Sequence, residues 1–404
     1  MRGAGKGQAS MRLQIILSGV EATVQRAPTQ CRWCGSPRVV WWQTVVKPLR
    51  DTRVAQVEAQ GWHCRACGRT FRVYPVGVSA RQGSQRLFGA AVMLYLLGLS
   101  YGAVDLALSA LGHPLAKTTV YYAVQAAAER VPGLKRSAAL GGVHPAPPAA
   151  LTPTAAVGAD VTSVRVKGKW LPLGVTVDDL TGQVLTIDAL TGEDAATLVE
   201  WITPIAAQVG ARLLVTDDAD SLKQVADALG LPHQVCTAHV QRNTDALITA
   251  LRPLAEQDMD RSLCGLGVAV AQALADLDHL ADLIHTRQPT HGDELRDAYL
   301  RYAPAHSPQK GETASLAYRL RALFLDRWNL WPHLTRYRTW RSPQDEQIDG
   351  TNNGCERSIG WWVKERYRSM RGYKREQSAL NVSRLLCWCG KQLATGAALA
   401  EVLA

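Results

Sequence analysis

The sequence predicts a multidomain α/β protein, and three observations support this fold class. Two Cys-x-x-Cys pairs lie in a basic N-terminal segment, helical apolar spacing follows, and a strand-rich region begins near residue 156. The chain has 404 residues, which is enough for more than one domain, and its hydrophobic content of 47% can supply a large core. The net charge of +10 favours acidic partners.

The N-terminal cysteines predict a zinc ribbon over residues 29–75, after a tail at 1–28. The four expected zinc ligands are Cys31, Cys34, Cys64 and Cys67. A glycine follows each pair, and strand-like runs fill the gap between the pairs. Between Cys31 and Arg86 ten basic residues oppose two acidic ones, a net charge of +8 that favours a polyanion such as DNA. The alternative is zinc that only stabilises the fold.

Three helices are predicted in residues 80–135, in a helix-turn-helix order. Ser100 is expected to cap the second helix, and Gly112-His-Pro114 interrupts the chain before the third. The third helix would enter the major groove of DNA. Its expected contact residues are Lys117, Thr118, Thr119 and Tyr122. A plain three-helix bundle is the alternative. The Pro- and Gly-rich residues 136–152 are predicted to be a linker.

Residues 153–235 have the element order that opens a ribonuclease H-like domain. The predicted order is three strands joined by tight turns, a helix and a fourth strand, with Asp178 and Asp179 as turn residues. Residues 236–345 are predicted to be a helical insertion, since no strand is apparent after Ser221. Residues 346–404 would supply helices that complete the same domain.

Three carboxylates are predicted to converge on metal ions. Asp160 lies within the first strand of this domain, Asp217 ends the fourth, and Glu356 begins a later helix. Carboxylate oxygens suit Mg²⁺ or Mn²⁺, and two such ions promote phosphodiester cleavage and transfer. The pattern alone does not separate Asp217 from Asp218.

A basic stripe is predicted on the helix that follows Glu356. At 100° per residue its members share one face of an α-helix, where they could follow a phosphate backbone. The stripe consists of Arg357, Lys364, Arg368 and Arg371. A solvated charged face is the alternative.

Four segments, in this order, resemble bacterial insertion-sequence DDE transposases of the Mutator-like and related group. The segments are Ala159–Trp170, Thr216–Lys223, Cys236-Thr-Ala-His239, and Thr351–Glu356 with Arg371-Gly-Tyr373. The resemblance covers roughly residues 155–385. It selects Asp217 over Asp218, which stands where the family usually has glycine. Cys236 and His239 match a family signature; we interpret them mainly as residues that fix the insertion to the sheet.

The resemblance implies a Mg²⁺-dependent transposase that cuts and joins DNA. Its partners would be double-stranded DNA, as transposon terminal inverted repeats and target DNA, and further copies of the chain in a dimer or larger assembly. We expect no membrane span and a location in the cytoplasm, at the bacterial nucleoid. The alternatives are a non-catalytic DNA-binding regulator that retained the fold, a nuclease without strand transfer, and a zinc-ribbon regulator. A second zinc held by Cys236, His239, Cys387 and Cys389 has poor ligand spacing.

Overall fold

The computed structural model describes residues 17–131, 153–364, 367 and 372–395, and the chain divides into two compact units. The first unit contains the described residues up to 131, residues 164–169 and those from 360 onwards. The second contains residues 153–163 and 170–359. The predicted linker and the predicted DNA contacts Arg368 and Arg371 lie outside the described residues. None of the described helices has the length and apolar character needed to cross a membrane.

An antiparallel three-stranded sheet forms the N-terminal part of the first unit. Its strands, in spatial order, are β1 (Val39–Pro48), β2 (Gln56–Cys64) and β3 (Thr70–Val73). Val39 pairs with Cys64, so the start of β1 lies beside a cysteine of the second pair. Cys31, Cys64 and Phe71 form a small buried cluster at this end of the sheet. The sheet therefore brings the two cysteine pairs together.

Three helices and the C-terminal helix form the rest of the first unit. The three are α1 (Gln85–Leu96), α2 (Tyr101–Ala110) and α3 (Lys117–Glu129), and the fourth is Glu376–Thr395. Ser100 caps α2 by accepting a hydrogen bond from the Ala103 amide, as the sequence predicts. Tyr121 on α3 hydrogen-bonds to Ser378 (2.9 Å), and Asn381 donates to Gln125 (3.0 Å). The C-terminal helix thus packs on α3, a contact that the sequence pattern does not indicate.

A buried carboxylate joins the sheet of the first unit to α1. Asp51, in the turn between β1 and β2, accepts hydrogen bonds from the Ser84 hydroxyl and from Arg86 (2.9 Å). The amides of Arg53 and Val54 also donate to it. Burial alone would raise the pKa of Asp51, but the Ser84 hydroxyl, the Arg53 amide and the Arg86 charge together lower it.

The second unit is built on a five-stranded mixed sheet in the order β6-β5-β4-β7-β8. The strands are β4 (Ala156–Val166), β5 (Lys169–Asp178), β6 (Gln183–Ala189), β7 (Leu213–Thr216) and β8 (His233–Val235). β5 and β6 are antiparallel, whereas β4, β7 and β8 are parallel. Positive φ angles at Lys167 and Gly168 form the tight turn between β4 and β5. The first four strands confirm the predicted order.

Strand β8 corrects the sequence analysis, which found no strand after Ser221. Its three residues are too few to show alternating burial, and all three are buried because they pair with β7 inside the sheet. Gln234 of β8 also fixes the helices that follow it in space. Its side-chain amide donates to the Leu334 carbonyl (3.1 Å) and accepts from the Tyr337 amide (2.7 Å).

The helices of the second unit form two separate cores. The two helices between β6 and β8 pack against one face of the sheet. The helices between β8 and residue 339 have a core of their own, which includes Leu277, Tyr302 and Phe324. The helices are α4 (Ala195–Val209), α5 (Asp220–Leu229), α6 (Thr237–Gln257), α7 (Ser262–Gly265), α8 (Val270–Thr286), α9 (Gly292–Tyr302), α10 (Leu316–Leu334), α11 (Arg336–Thr339) and α12 (Asn353–Arg357), with a 3₁₀ turn at Pro289–His291.

The helix that begins at Asn353 does not continue as a regular α-helix. Residues Ser358–Lys364 form a π-helical segment, whose turns are wider than those of an α-helix. The rotation of 100° per residue that places Arg357 and Lys364 in one stripe therefore does not hold beyond Arg357. Both side chains are exposed.

We expect Asp51→Ala to destabilise the first unit by about 3 kcal/mol, because it leaves Arg86 without its buried partner. Denaturant unfolding followed by tryptophan fluorescence measures this change, with the exposed Glu58→Ala as a matched control. The Asp51 contribution is present above its unfolded pKa and is lost as the pH falls through its lowered folded pKa. Equal stability of the two variants near neutral pH would contradict this account.

Candidate metal-dependent active site

The two predicted aspartates are associated with neighbouring parallel strands. Asp160 lies within β4, and Asp217 directly follows β7. The two strands pair as far as Gly158 and Val215, two residues before each aspartate. Continued for two more residues, this register would set Asp160 opposite Asp217, on strands about 4.8 Å apart.

Backbone amides orient both aspartates. The Val161 amide donates to Asp160 Oδ1 (2.7 Å), and the Ala219 amide donates to Asp217 Oδ1 (3.0 Å). The neighbouring Asp218 instead forms an ion pair with Lys223 (2.9 Å). This pair gives a physical distinction between Asp217 and Asp218 that the sequence pattern lacks.

Asn352 attaches the helix of Glu356 to the strand of Asp160. Its side-chain amide donates to the Ala159 carbonyl (3.0 Å), next to Asp160, and Asn352 itself is fully buried. Its own carbonyl accepts from the Glu356 amide (3.0 Å), which closes the first turn of α12. One side chain thus connects the strand with the helix that bears the third predicted carboxylate.

Small residues make this close approach feasible. A Cβ atom on Gly158 would lie 2.8 Å from Val177 Cγ2, closer than real Cβ atoms approach, and 3.1 Å from Asn352 Oδ1, a tight contact. A Cβ on Gly354, in α12, would lie 3.2 Å from the same Val177 atom. Glycine at both positions therefore allows α12 to lie against β4 and β5.

Cys236 and His239 converge on Glu356, a contact that the sequence analysis did not specify. Cys236 Sγ lies 3.9 Å from Glu356 Oε1, and His239 Nδ1 lies 3.2 Å from the same oxygen. The Cys236 amide donates to the Thr216 carbonyl (2.7 Å), so this cysteine directly adjoins the end of β7. The Thr237 amide donates to the Gly350 carbonyl (2.9 Å). These backbone bonds fit the interpretation of Cys236 and His239 as residues that fix the helices to the sheet.

Groups of potential metal ligands are few in the described part of the chain. Only two groups of three or more such residues there have ligand atoms within 4.8 Å of one another: the four N-terminal cysteines, and Cys236 with His239 and Glu356. The trio of Asp160, Asp217 and Glu356 is not one of them. Three carboxylates repel one another when no cations lie between them. Two ions about 3.5–4 Å apart would also allow carboxylates on opposite sides of the ion pair to lie further apart than the ligands of a single ion. Cys387 and Cys389 belong to neither group.

Asp179 is a further acidic residue beside β4, which the sequence analysis interpreted as a turn residue. Asp178 does hold the turn, since it accepts from Thr154 Oγ1 (2.7 Å) and from the Leu180 amide (3.1 Å). Asp179 Oδ1, in contrast, would lie 3.3 Å from a Cβ on Gly158. Burial, together with the charges of Asp349 and Asp178, raises its pKa to about 7. The sequence signal for Asp179 was the acidic pair Asp178-Asp179 at the end of the apolar strand β5.

The four N-terminal cysteines have the geometry of a zinc site. Cys31 Sγ lies 3.8 Å from Cys67 Sγ, and Cys34 Sγ lies 3.7 Å from Cys64 Sγ. Sulfurs around a tetrahedral zinc with bonds of roughly 2.3 Å are about 3.8 Å apart. The Cys67 amide is the main influence that lowers the pKa of Cys64 to about 7, whereas the Ser36 amide is outweighed by burial and the neighbouring thiols, which raise the pKa of Cys34 to about 11. Zinc binding would require all four cysteines as thiolates.

The predicted DNA contacts on α3 are accessible. Lys117, Thr118 and Tyr122 are exposed and Thr119 is partly exposed, whereas Val120 and Val124 are buried. In the ribbon, Trp33 is 53% exposed, and the guanidinium groups of Arg32 and Arg69 lie 4.9 and 5.7 Å from its ring centroid. Exposed aromatic rings beside arginines are a common surface for nucleic acids.

Comparisons with known proteins give no family. No family model matches the chain, and no curated protein matches it. Among solved structures, similarity is found to the HTLV-2 integrase catalytic core domain in complex with magnesium. Its trimeric form has 19% identity and a TM-score of 0.19, covering 31% of this chain and 84% of that chain. Its dimeric form has 19% identity and a TM-score of 0.18, covering 32% of this chain and 86% of that chain.

A third similar structure is the simian T-cell lymphotropic virus intasome in complex with PP2A regulatory subunit B56 gamma. It has 16% identity and a TM-score of 0.20, covering 42% of this chain and 62% of that chain. TM-scores this low do not establish a shared fold.

We expect Asn352→Ala to loosen α12, because the substitution removes the bond to the Ala159 carbonyl and leaves that carbonyl buried without its donor. The expected loss of stability is about 1–3 kcal/mol. Hydrogen exchange of peptides that cover residues 349–359 should become faster. Asn353→Ala, on the partly exposed neighbour, is the matched control. Unchanged exchange in Asn352→Ala would refute the anchoring role.

Asp179→Asn should stabilise the protein at alkaline pH. Because the folded pKa of Asp179 is raised to about 7, the native state holds a proton that the unfolded state releases, so the wild type loses stability as the pH rises from about 4 to 7. The variant lacks this loss. Its melting temperature should exceed the wild-type value by several degrees at about pH 8, and the difference should disappear near pH 4. A difference independent of pH would contradict this assignment, with Asp220→Asn as the exposed control.

Proposed function

We propose that this protein is a DDE transposase, a metal-dependent enzyme with a ribonuclease H-like catalytic domain that cuts transposon ends and joins them to target DNA. One observation carries the proposal. Strands β4 and β7 pair in parallel up to two residues before Asp160 and Asp217, and the Asn352 side chain bonds the start of the Glu356 helix to the carbonyl of Ala159, next to Asp160. The mixed sheet, with a parallel β7 beside the first strand, is the setting that such a site requires.

The three carboxylates form a donor set that fits Mg²⁺ or Mn²⁺, since all its atoms are hard oxygens. Asp160, Asp217 and Glu356 are the residues that would hold these ions. Ions held there would neutralise the scissile phosphate and activate the attacking oxygen. The amides of Val161 and Ala219 hold the two aspartates in position for this role.

Two reactions follow from this assignment. In the first, water attacks the phosphodiester at a transposon end, and the broken bond leaves a 3′-hydroxyl. In the second, this hydroxyl attacks a phosphodiester of target DNA, and the displaced 3′-oxygen is the leaving group. Each step makes one P–O bond and breaks one, so no external energy source is needed. Joining two ends requires two active sites, which favours a dimer or a larger assembly on DNA.

Recognition of the transposon ends is assigned to the first unit. The zinc ribbon supplies a field of positive charge and the exposed Trp33, and α3 presents Lys117, Thr118 and Tyr122 to solvent. Arg357, directly after Glu356, would contact a phosphate of the DNA strand that is cut.

The test is strand cleavage and joining with the DNA that flanks the gene, searched for terminal inverted repeats. Asp160→Asn should reduce Mg²⁺-dependent cleavage by more than about a hundredfold, because a metal centre contributes several kcal/mol to the transition state. Asp220→Asn changes an acid at the start of α5 that is 90% exposed, and it should retain activity. Both variants should still bind the end sequence in a mobility-shift assay.

Two results would reject the proposal. Equal cleavage by wild type and Asp160→Asn would exclude the assigned active site. Tight binding of the ends without cleavage by any form would favour the DNA-binding regulator. Cleavage without joined products would instead indicate a nuclease.

A further inference from the structure

We propose that Cys236, His239 and Glu356 form a second binding site for a transition ion of the zinc class, in addition to the four-cysteine ribbon. The site lies where the first turn of α6 meets α12. It is separate from the four-cysteine ribbon, and it differs from the three-carboxylate centre in its donor atoms. Only its relation to the active centre, through Glu356, depends on the proposed function.

The first argument is the spacing of the three ligand atoms. His239 Nδ1 and Cys236 Sγ lie 3.2 and 3.9 Å from Glu356 Oε1, and all three atoms are within 4.8 Å of one another. Ligands around a tetrahedral zinc with bonds of roughly 2.0–2.3 Å are about 3.3–3.8 Å apart. The three atoms are therefore close to the corners of a single coordination shell.

The second argument is the surroundings of the Cys236 sulfur. The Asn352 amide donates to it (3.3 Å), and the amides of Ala238 and His239 also stabilise its thiolate, although burial raises the pKa of the thiol. In the ribbon, the amides of Ala66 and Cys67 act on Cys64 from the same two positions along the chain, two and three residues later. Cys236-Thr-Ala-His239 shares this local arrangement with the second cysteine pair of the ribbon, with histidine in place of the second cysteine.

The third argument is the direction of the His239 ring. Nδ1 is inaccessible to solvent and, within the described part of the chain, makes no hydrogen bond, although it lies only 3.2 Å from Glu356 Oε1. The pair is close enough for a hydrogen bond but is not aligned for one. A cation bound between the two atoms accounts for both the short distance and the alignment.

The donor set determines the class of ion. One thiolate, one imidazole and one carboxylate suit Zn²⁺ or Co²⁺ and not Mg²⁺, which prefers oxygen ligands alone. Three protein ligands leave a fourth position for water. Both contacts use Oε1 of Glu356, and a carboxylate can bridge two cations through its two oxygens. An ion at this site would fix the orientation of Glu356 toward the active centre.

The experiment counts zinc per full-length chain by mass spectrometry, after dialysis against buffer with a small excess of zinc. The wild type should bind two zinc ions. Cys236→Ser and His239→Ala should each bind one, and so should Cys67→Ser, which disrupts only the ribbon. Cys264→Ser, at an exposed cysteine of α7, should bind two. One zinc in the wild type, kept in Cys236→Ser and lost in Cys67→Ser, would overturn the proposal.

A second measurement keeps the test decisive if Cys236→Ser does not fold. His239→Cys keeps a metal-binding side chain, so it should still bind two zinc ions. After cobalt substitution its sulfur-to-metal absorption should be stronger than that of the wild type, because one thiolate is added. Unchanged absorption would overturn the proposal. Neither measurement uses DNA, so a failure here is distinguishable from a failure of the transposase assignment.

Discussion

The hydrogen bond from the Asn352 side chain to the Ala159 carbonyl is the contact on which the candidate site depends. Asn352 is fully buried, donates its backbone amide to Cys236 Sγ, and accepts the Glu356 amide at the start of α12. In a buried position, leaving these bonds unmade would cost more free energy than the bonds contribute, which favours keeping the start of α12 beside β4. Glu356, 139 positions after Asp217 in the chain, is brought to the sheet by this contact.

The helices between β8 and α12 can be long because they have a core of their own. Leu277, Tyr302 and Phe324 lie in a cluster distinct from the one that covers the sheet. Gln234 of β8 bonds to the end of α10 and the start of α11, close to where the chain turns back toward Asn352. The position of Glu356 therefore depends on local bonds at the two ends of this region and not on its length.

Much of the fold could be predicted because its signals are local. In the strands on either side of the Lys167-Gly168 turn, apolar and polar residues alternate or apolar residues follow one another without a break. The two cysteine pairs have the spacing of a metal-binding turn. Strand β8 was missed because three residues carry no periodicity. The π-helical segment was missed because helix wheels assume regular turns, and that assumption placed Lys364 in a stripe with Arg357.

The sequence indicates the candidate acids but not their connections. Asp160 lies within one apolar run and Asp217 ends another, a pattern visible in the sequence. The contacts of Asn352, Cys236 and His239 with the Glu356 helix are tertiary. Asp179 was interpreted as a turn residue because its place in the sequence, directly after β5, shows neither its position near Gly158 nor its raised pKa.

Anomalous diffraction from crystals soaked in Mn²⁺ would show whether Asp160, Asp217 and Glu356 bind the same ions. If they do, manganese peaks will lie roughly 2.0–2.2 Å from carboxylate oxygens of all three residues. Peaks that contact none of the three, in crystals where other sites take up manganese, would contradict such binding.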